Sequence, residues 1–212
     1  MARARSSWLL VALSTAGAPA STRVTAWRKL RSLGSLYLQQ SVCMLPGRPE
    51  TRAAVQALAA RVRAEGGTAR ILEVSVTDPA EQDTLVAELQ AARDAEYEEV
   101  LARFGAFFAE LETETARGRT TYEELEESEA DLDRFRAWIT KIDARDYFAA
   151  PRGQAARDEL ARAEAALAQF ATATMDAEDV QQRPSDVPAA PGSPSRRARR
   201  DSHLEPVQPP SA

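Results

Sequence analysis

The chain changes character at Thr77-Asp78-Pro79, and that break constrains the fold more than any other feature. Before it, short apolar runs alternate with glycine and proline. After it, residues 80–117 contain no proline and a single glycine, Gly105. Short punctuated runs build strands and short helices. A long glycine-poor stretch with apolar residues at three- and four-residue spacing builds a long helix. The chain of 212 residues therefore divides into residues 1–76, residues 77–176 and a remainder, 177–212.

In the first segment, Trp8–Ser14 is an apolar run that reads as a strand. The opening also imitates a secretory leader, with Arg3 and Arg5 ahead of Trp8–Leu13 and Ala18-Pro19-Ala20 after it. Its uninterrupted apolar run is six residues, short for a leader core of about 7–15. The strand is the preferred reading, and the leader stays open. A helix follows over Ala20–Leu33, stopped by Gly34, with Val24, Trp27 and Leu30 as its apolar arc. Leu36–Leu38 and Val42–Leu45 read as strands joined by a turn at Gln39-Gln40-Ser41. A second helix spans about Glu50–Ala64 and ends at Gly66-Gly67, and Ala69–Val76 is a further strand. The order β-α-β-β-α-β predicts a ferredoxin-like α+β domain, an antiparallel four-stranded sheet with two helices on one face.

Beyond the break, Thr77-Asp78-Pro79 is a helix start and 80–117 one long helix. Thr121-Tyr122-Glu123-Glu124 fits a capping box for a second, with Leu125, Leu132, Phe135, Trp138, Ile139 and Ile142 as its stripe. Pro151 opens a third, about Arg152–Thr174. An antiparallel bundle of about three helices is expected. From Ala177 the chain reads as a disordered tail, since seven of the twelve prolines lie in 184–210. The cluster Arg196–Arg200 within it reads as a solvated basic tail.

The net charge of -5 is a cancellation. Residues 1–75 carry 11 Lys+Arg against 3 Asp+Glu, residues 76–180 carry 11 against 26, and residues 181–212 carry 5 against 3. A basic first segment beside an acidic second one suggests that one faces an anion and the other does not. Arg28, Lys29 and Arg31 project from the first helix and are the candidate contacts to DNA phosphate or another anion. Arg23 falls inside the Val24/Trp27/Leu30 arc. It is expected to form a structural ion pair with a carboxylate of the acidic half, such as Glu124 or Glu127.

Other chemistry has little to stand on. One cysteine, Cys43, and one histidine, His203, exclude an intrachain disulfide framework and leave no Cys/His metal set. The dense carboxylates of 123–133 run around one helix instead of converging, so no metal site is expected there. No phosphate-cradling, dinucleotide-binding or nucleophile-elbow motif is present, and no cofactor is expected. A redox step would need an electron source that no motif supplies. Cys43 reads as a buried core thiol. No run of about 18 apolar residues predicts a membrane span.

Trp8-Leu9-Leu10-Val11, then Arg23 through Gly34, then Val42-Cys43-Met44-Leu45-Pro46 resembles the N-terminal domain of the ChrB family. The helical half carries the same resemblance in Arg93–Glu99, Thr121–Glu127 and Trp138–Phe148. The sheet half is more distantly similar to PaaX-type repressors. The resemblance covers about residues 8–175. It implies a bacterial, cytoplasmic regulator or accessory protein of a chromate-resistance operon, with DNA as partner and chromate as effector. A homodimer stays open. The resemblance implies no catalytic residues, so the chain is expected not to be an enzyme. Family members continue into a second domain, in whose place this sequence has its Pro-rich tail. The alternative is an interaction module that binds no DNA and partners a separate resistance component.

Overall fold

The computed structural model describes residues 7–117 and 121–182. In chain order the elements are β1 (Ser7–Ser14), α1 (Ala20–Ser32), β2 (Leu36–Gln39), β3 (Val42–Pro46), α2 (Pro49–Ala64) and β4 (Thr68–Ser75). They are followed by α3 (Pro79–Arg117), α4 (Tyr122–Asp143) and α5 (Pro151–Gln182). The four strands form one antiparallel sheet in the order β2-β3-β1-β4. The run preferred as a strand is therefore a central one. Leu9 faces Leu45 and Val11 faces Cys43 across β1 and β3.

Because β1 is apolar at nearly every position, both of its faces need cover. Leu9 and Val11, with Cys43 and Leu45, pack against Ala26 and Leu30 of α1 and Val55, Leu58 and Val62 of α2. Trp8 and Met44 point to the opposite face, where Leu85 and Leu89 of α3 meet them. Trp8 also stacks on Phe148 at 5.7 Å between ring centroids. Two helices were expected on one face of the sheet. The second face is covered as well, by the first turns of α3.

Asp78 starts α3 by accepting the Ala80 N–H at 2.9 Å. With 39 residues the helix is about 58 Å long. Its first part belongs to the sheet, and the rest packs with α4 and α5. Tyr97, Val100, Phe104 and Phe107 meet Leu132, Phe135 and Ile139 of α4 and Ala156, Ala163 and Phe170 of α5. The α4 cap forms as the sequence indicates: the Glu124 N–H donates to the Thr121 hydroxyl, and the Thr121 N–H to the Glu124 carboxylate at 2.9 Å. α5 continues to Gln182, past the point at Ala177 where a tail was expected. The remaining tail, with Arg196–Arg200 and His203, lies outside the described residues. Among the described residues, no helix is long and apolar enough to cross a membrane.

The orientation of α1 departs from expectation. Thr22, Ala26 and Leu30 are its buried residues. Val24 is 46% exposed and Trp27 48% exposed. The buried stripe is small and slightly polar, which lets the helix lie close to its neighbours, and the Thr22 hydroxyl is satisfied by the Glu65 carboxylate. The larger apolar side chains are left facing outward.

Candidate functional site

The rotation of α1 decides what its cations do. At about 100° per residue, Arg23, Trp27 and Arg31 form one stripe, with Val24 and Arg28 beside it. Lys29 lies about 160° around the helix from Trp27, on the opposite flank of the buried stripe. The structure thus groups Arg23, Arg28 and Arg31 and sets Lys29 apart from them. All four are exposed.

Between α1, the end of β1 and the β2–β3 hairpin runs an open groove of about 700 Å³. Arg23, Arg28, Trp27 and Val24 line it from α1, Tyr37 and Cys43 from the sheet, and Gln40 and Ser41 from the hairpin turn. Among the described residues, no carboxylate lines it. The Arg31 guanidinium sits over the Trp27 ring, 4.9 Å from its centroid, within the range of a cation–π contact. Cys43 is 1% exposed, and burial pushes its thiol up to about 11, so it is a wall and not a nucleophile at neutral pH. Tyr37 is likewise raised, mainly by burial.

Arg23 does not make the expected ion pair. It is exposed, and its Nε donates to the Thr15 hydroxyl at 3.3 Å. Glu124 is instead engaged in the cap of α4. Of the arc that would have turned Arg23 inward, Leu30 is buried as expected, but Val24 and Trp27 face outward. Among the described residues, none of Arg23, Arg28, Lys29 and Arg31 has a carboxylate partner. Most cations of the helical half do, including Arg136 with Glu164, Arg152 with Glu98 and Arg157 with Asp143. Unpaired cations in a carboxylate-free groove can hold an anionic ligand. Cations already paired contribute little free positive charge.

The two halves are joined at a second polar place, around the turn between α1 and β2. The Tyr147 hydroxyl donates to the Leu33 carbonyl at 2.8 Å, and the Arg48 guanidinium donates to the Tyr147 carbonyl. Glu96 receives Arg93 at 3.0 Å and Arg145 at 2.8 Å. Arg93 is only 7% exposed; its Nε and Nη1, and Nε of Arg145, are buried without a hydrogen-bond partner. Burial pushes the Arg93 guanidinium below its ordinary range, and Glu96 pulls it back. Gly34 fits against this cluster. Asp146 accepts the Ala150 N–H at 3.0 Å just ahead of α5, whereas Arg145 reaches across to Glu96 of α3.

The sequence reading missed Arg93. A signal was present: Leu85, Leu89, Arg93, Tyr97 and Val100 fall on one helical stripe, so Arg93 interrupts an apolar face. Trp27 as an exposed groove residue was missed because hydrophobicity alone assigned it inward. Among the described residues, no three His, Cys, Asp or Glu side chains are placed to hold a metal ion.

The model of the family described as "Protein ChrB, N-terminal" matches residues 23–181. Protein ChrB of Cupriavidus metallidurans (strain CH34) is 29% identical over 123 residues, which is 58% of this chain and 34% of that protein. The match thus spans about a third of the length of the curated relative.

Proposed function

The chain belongs to the ChrB N-terminal family, and from that premise we propose a chromate-responsive, DNA-associated regulator or accessory protein of a chromate-resistance operon. It acts in the cytoplasm by charge and packing and performs no catalysis of its own. The observation that carries the reading is the set of four α1 cations left without carboxylate partners, on a half of the chain that is basic overall. Phosphate oxygens supply the missing anions through Arg28, Lys29 and Arg31. The strand order β2-β3-β1-β4 with α1 and α2 on one face supports a ferredoxin-like sheet domain. The shared core of α3, α4 and α5 supports a bundle of three helices that repels nucleic acid and leaves the basic face to approach it.

The test is a gel shift on the DNA upstream of the protein's own gene, with and without chromate, across a salt titration. Retention should fall with salt, and chromate should change it. Arg28→Ala with Lys29→Ala should weaken binding equally on every sequence and reduce the log–log salt slope by about 0.9 per lost contact. Unchanged affinity and slope would refute the phosphate assignment. The exposed Val24 and Trp27 favour a second reading, an interaction module without DNA binding. That reading predicts a stable protein complex in light scattering and no salt-dependent retention of DNA.

A further inference from the structure

Phosphate contact alone does not account for the α1 groove. A face that only neutralises a backbone needs cations on a polar surface. This one also keeps a tryptophan 48% exposed and a valine 46% exposed beside a concave space. Its volume of about 700 Å³ lies within the ~300–1,000 Å³ of small-ligand sites. An exposed apolar patch rimmed by polar groups marks a place where something binds.

We propose that the groove takes an unpaired nucleobase of single-stranded nucleic acid, stacked against Trp27, with the adjoining phosphates on Arg23, Arg28 and Arg31. The proposal rests on the phosphate reading of α1 and adds what lies between the phosphates. Each part of the ligand has a counterpart. Trp27 on one wall and Tyr37 on the other offer aromatic surface to a planar base. Gln40, Ser41 and Thr15 line the same space and offer amide and hydroxyl groups to its edge. Arg31 lies over the Trp27 ring, which fixes the indole and adds positive charge next to the stack. From Arg23 to Arg31 the helix rises about 12 Å, the length of three to four stacked nucleotides at ~3.4 Å each.

The absence of carboxylates in the lining removes the main repulsion a phosphate would meet. A duplex cannot fill this space, because its bases present only edges in the grooves and keep their faces stacked on one another. An acidic peptide would satisfy the arginines. It would leave the two aromatic walls and the polar groups between them without planar partners.

Fluorescence anisotropy with two labelled probes tests this: an oligothymidylate of about twelve nucleotides and a mixed-sequence duplex of the same length. The proteins are the full chain, Trp27→Ala, Trp27→Phe, and Arg28→Ala with Lys29→Ala. Trp27→Ala should weaken oligothymidylate binding roughly ten- to hundredfold, leave duplex binding within about twofold, and keep the salt slope. Trp27→Phe should restore most of the loss. If Trp27→Ala binds oligothymidylate like the parent while the Arg28/Lys29 variant loses affinity for both probes, stacking is overturned and phosphate contact stands. If the Arg28/Lys29 variant changes neither affinity nor slope, the phosphate reading falls and the stacking proposal falls with it. If neither nucleic acid binds and a labelled poly-glutamate peptide does, both are overturned in favour of a protein partner.

Discussion

Gly34→Ala should be one of the most damaging small substitutions in this chain. Gly34 ends α1 at φ +67, a left-handed conformation. An L side chain pays about 1–2 kcal/mol to adopt it. A Cβ there would also lie 2.4 Å from Nη1 of Arg93 and 3.1 Å from Cβ of Arg145. Nη1 is the tip of a flexible side chain, but Arg93 is 7% exposed and tied to Glu96, so moving it disturbs a buried ion pair. A hydrogen bond to a charged group contributes about 1.5–3 kcal/mol. Glu96 is 29% exposed, which favours the lower end of that range. The total is about 2–4 kcal/mol. For a protein of this size the Tm should fall by roughly 5–15 °C.

Gly105→Ala is the matched control. Gly105 lies within α3, and a Cβ would meet nothing within 4 Å. Removing glycine's excess backbone entropy should stabilise by about 0.5–1 kcal/mol. Thermal and urea unfolding followed by circular dichroism reads both. A double-mutant cycle separates strain from collision. With Arg93→Met, which lacks the Nη1 atom, Gly34→Ala should cost only the left-handed strain, about 1–2 kcal/mol. If Gly34→Ala melts at or above the parent temperature, or costs the same in both backgrounds, the reasoning about this joint is wrong.

Three further outcomes follow from the buried groups. Arg93→Met should be neutral to mildly stabilising, because it removes two unpartnered buried N–H groups along with one ion pair. Glu96→Gln should cost about 2–4 kcal/mol, because it leaves two guanidinium groups without their shared carboxylate; urea midpoints that rank the two variants the other way would refute this. With its thiol pushed up to about 11 by burial, Cys43 should resist iodoacetamide in the native protein at pH 8 and react fully in urea. The native rate should rise as the pH climbs toward 11, and rapid native alkylation at pH 8 would show that the thiol is not shielded.

Much of this protein is local and was therefore legible in its residues. Gly34 stops α1 because its neighbours cannot take a left-handed turn as cheaply. Thr121 and Glu124 cap α4 through atoms three residues apart. The alternating apolar runs place β1, β3 and the helices in order, and the charge split along the chain is a matter of composition. Faces and partners were another matter. Periodicity gave α1 an apolar arc through Trp27, but close packing against the sheet and α2 selected the smaller Thr22, Ala26 and Leu30 stripe. Trp27 and the cations were thereby turned toward a groove. The same selection left Arg23 without the carboxylate expected for it. Nothing near Leu85 in the chain says that it covers the far side of β1, and nothing near Arg93 says that it ends against Gly34. A side chain's spacing along the backbone sets which neighbours it shares a face with. Only the shapes and charges that meet when distant elements pack decide what that face touches.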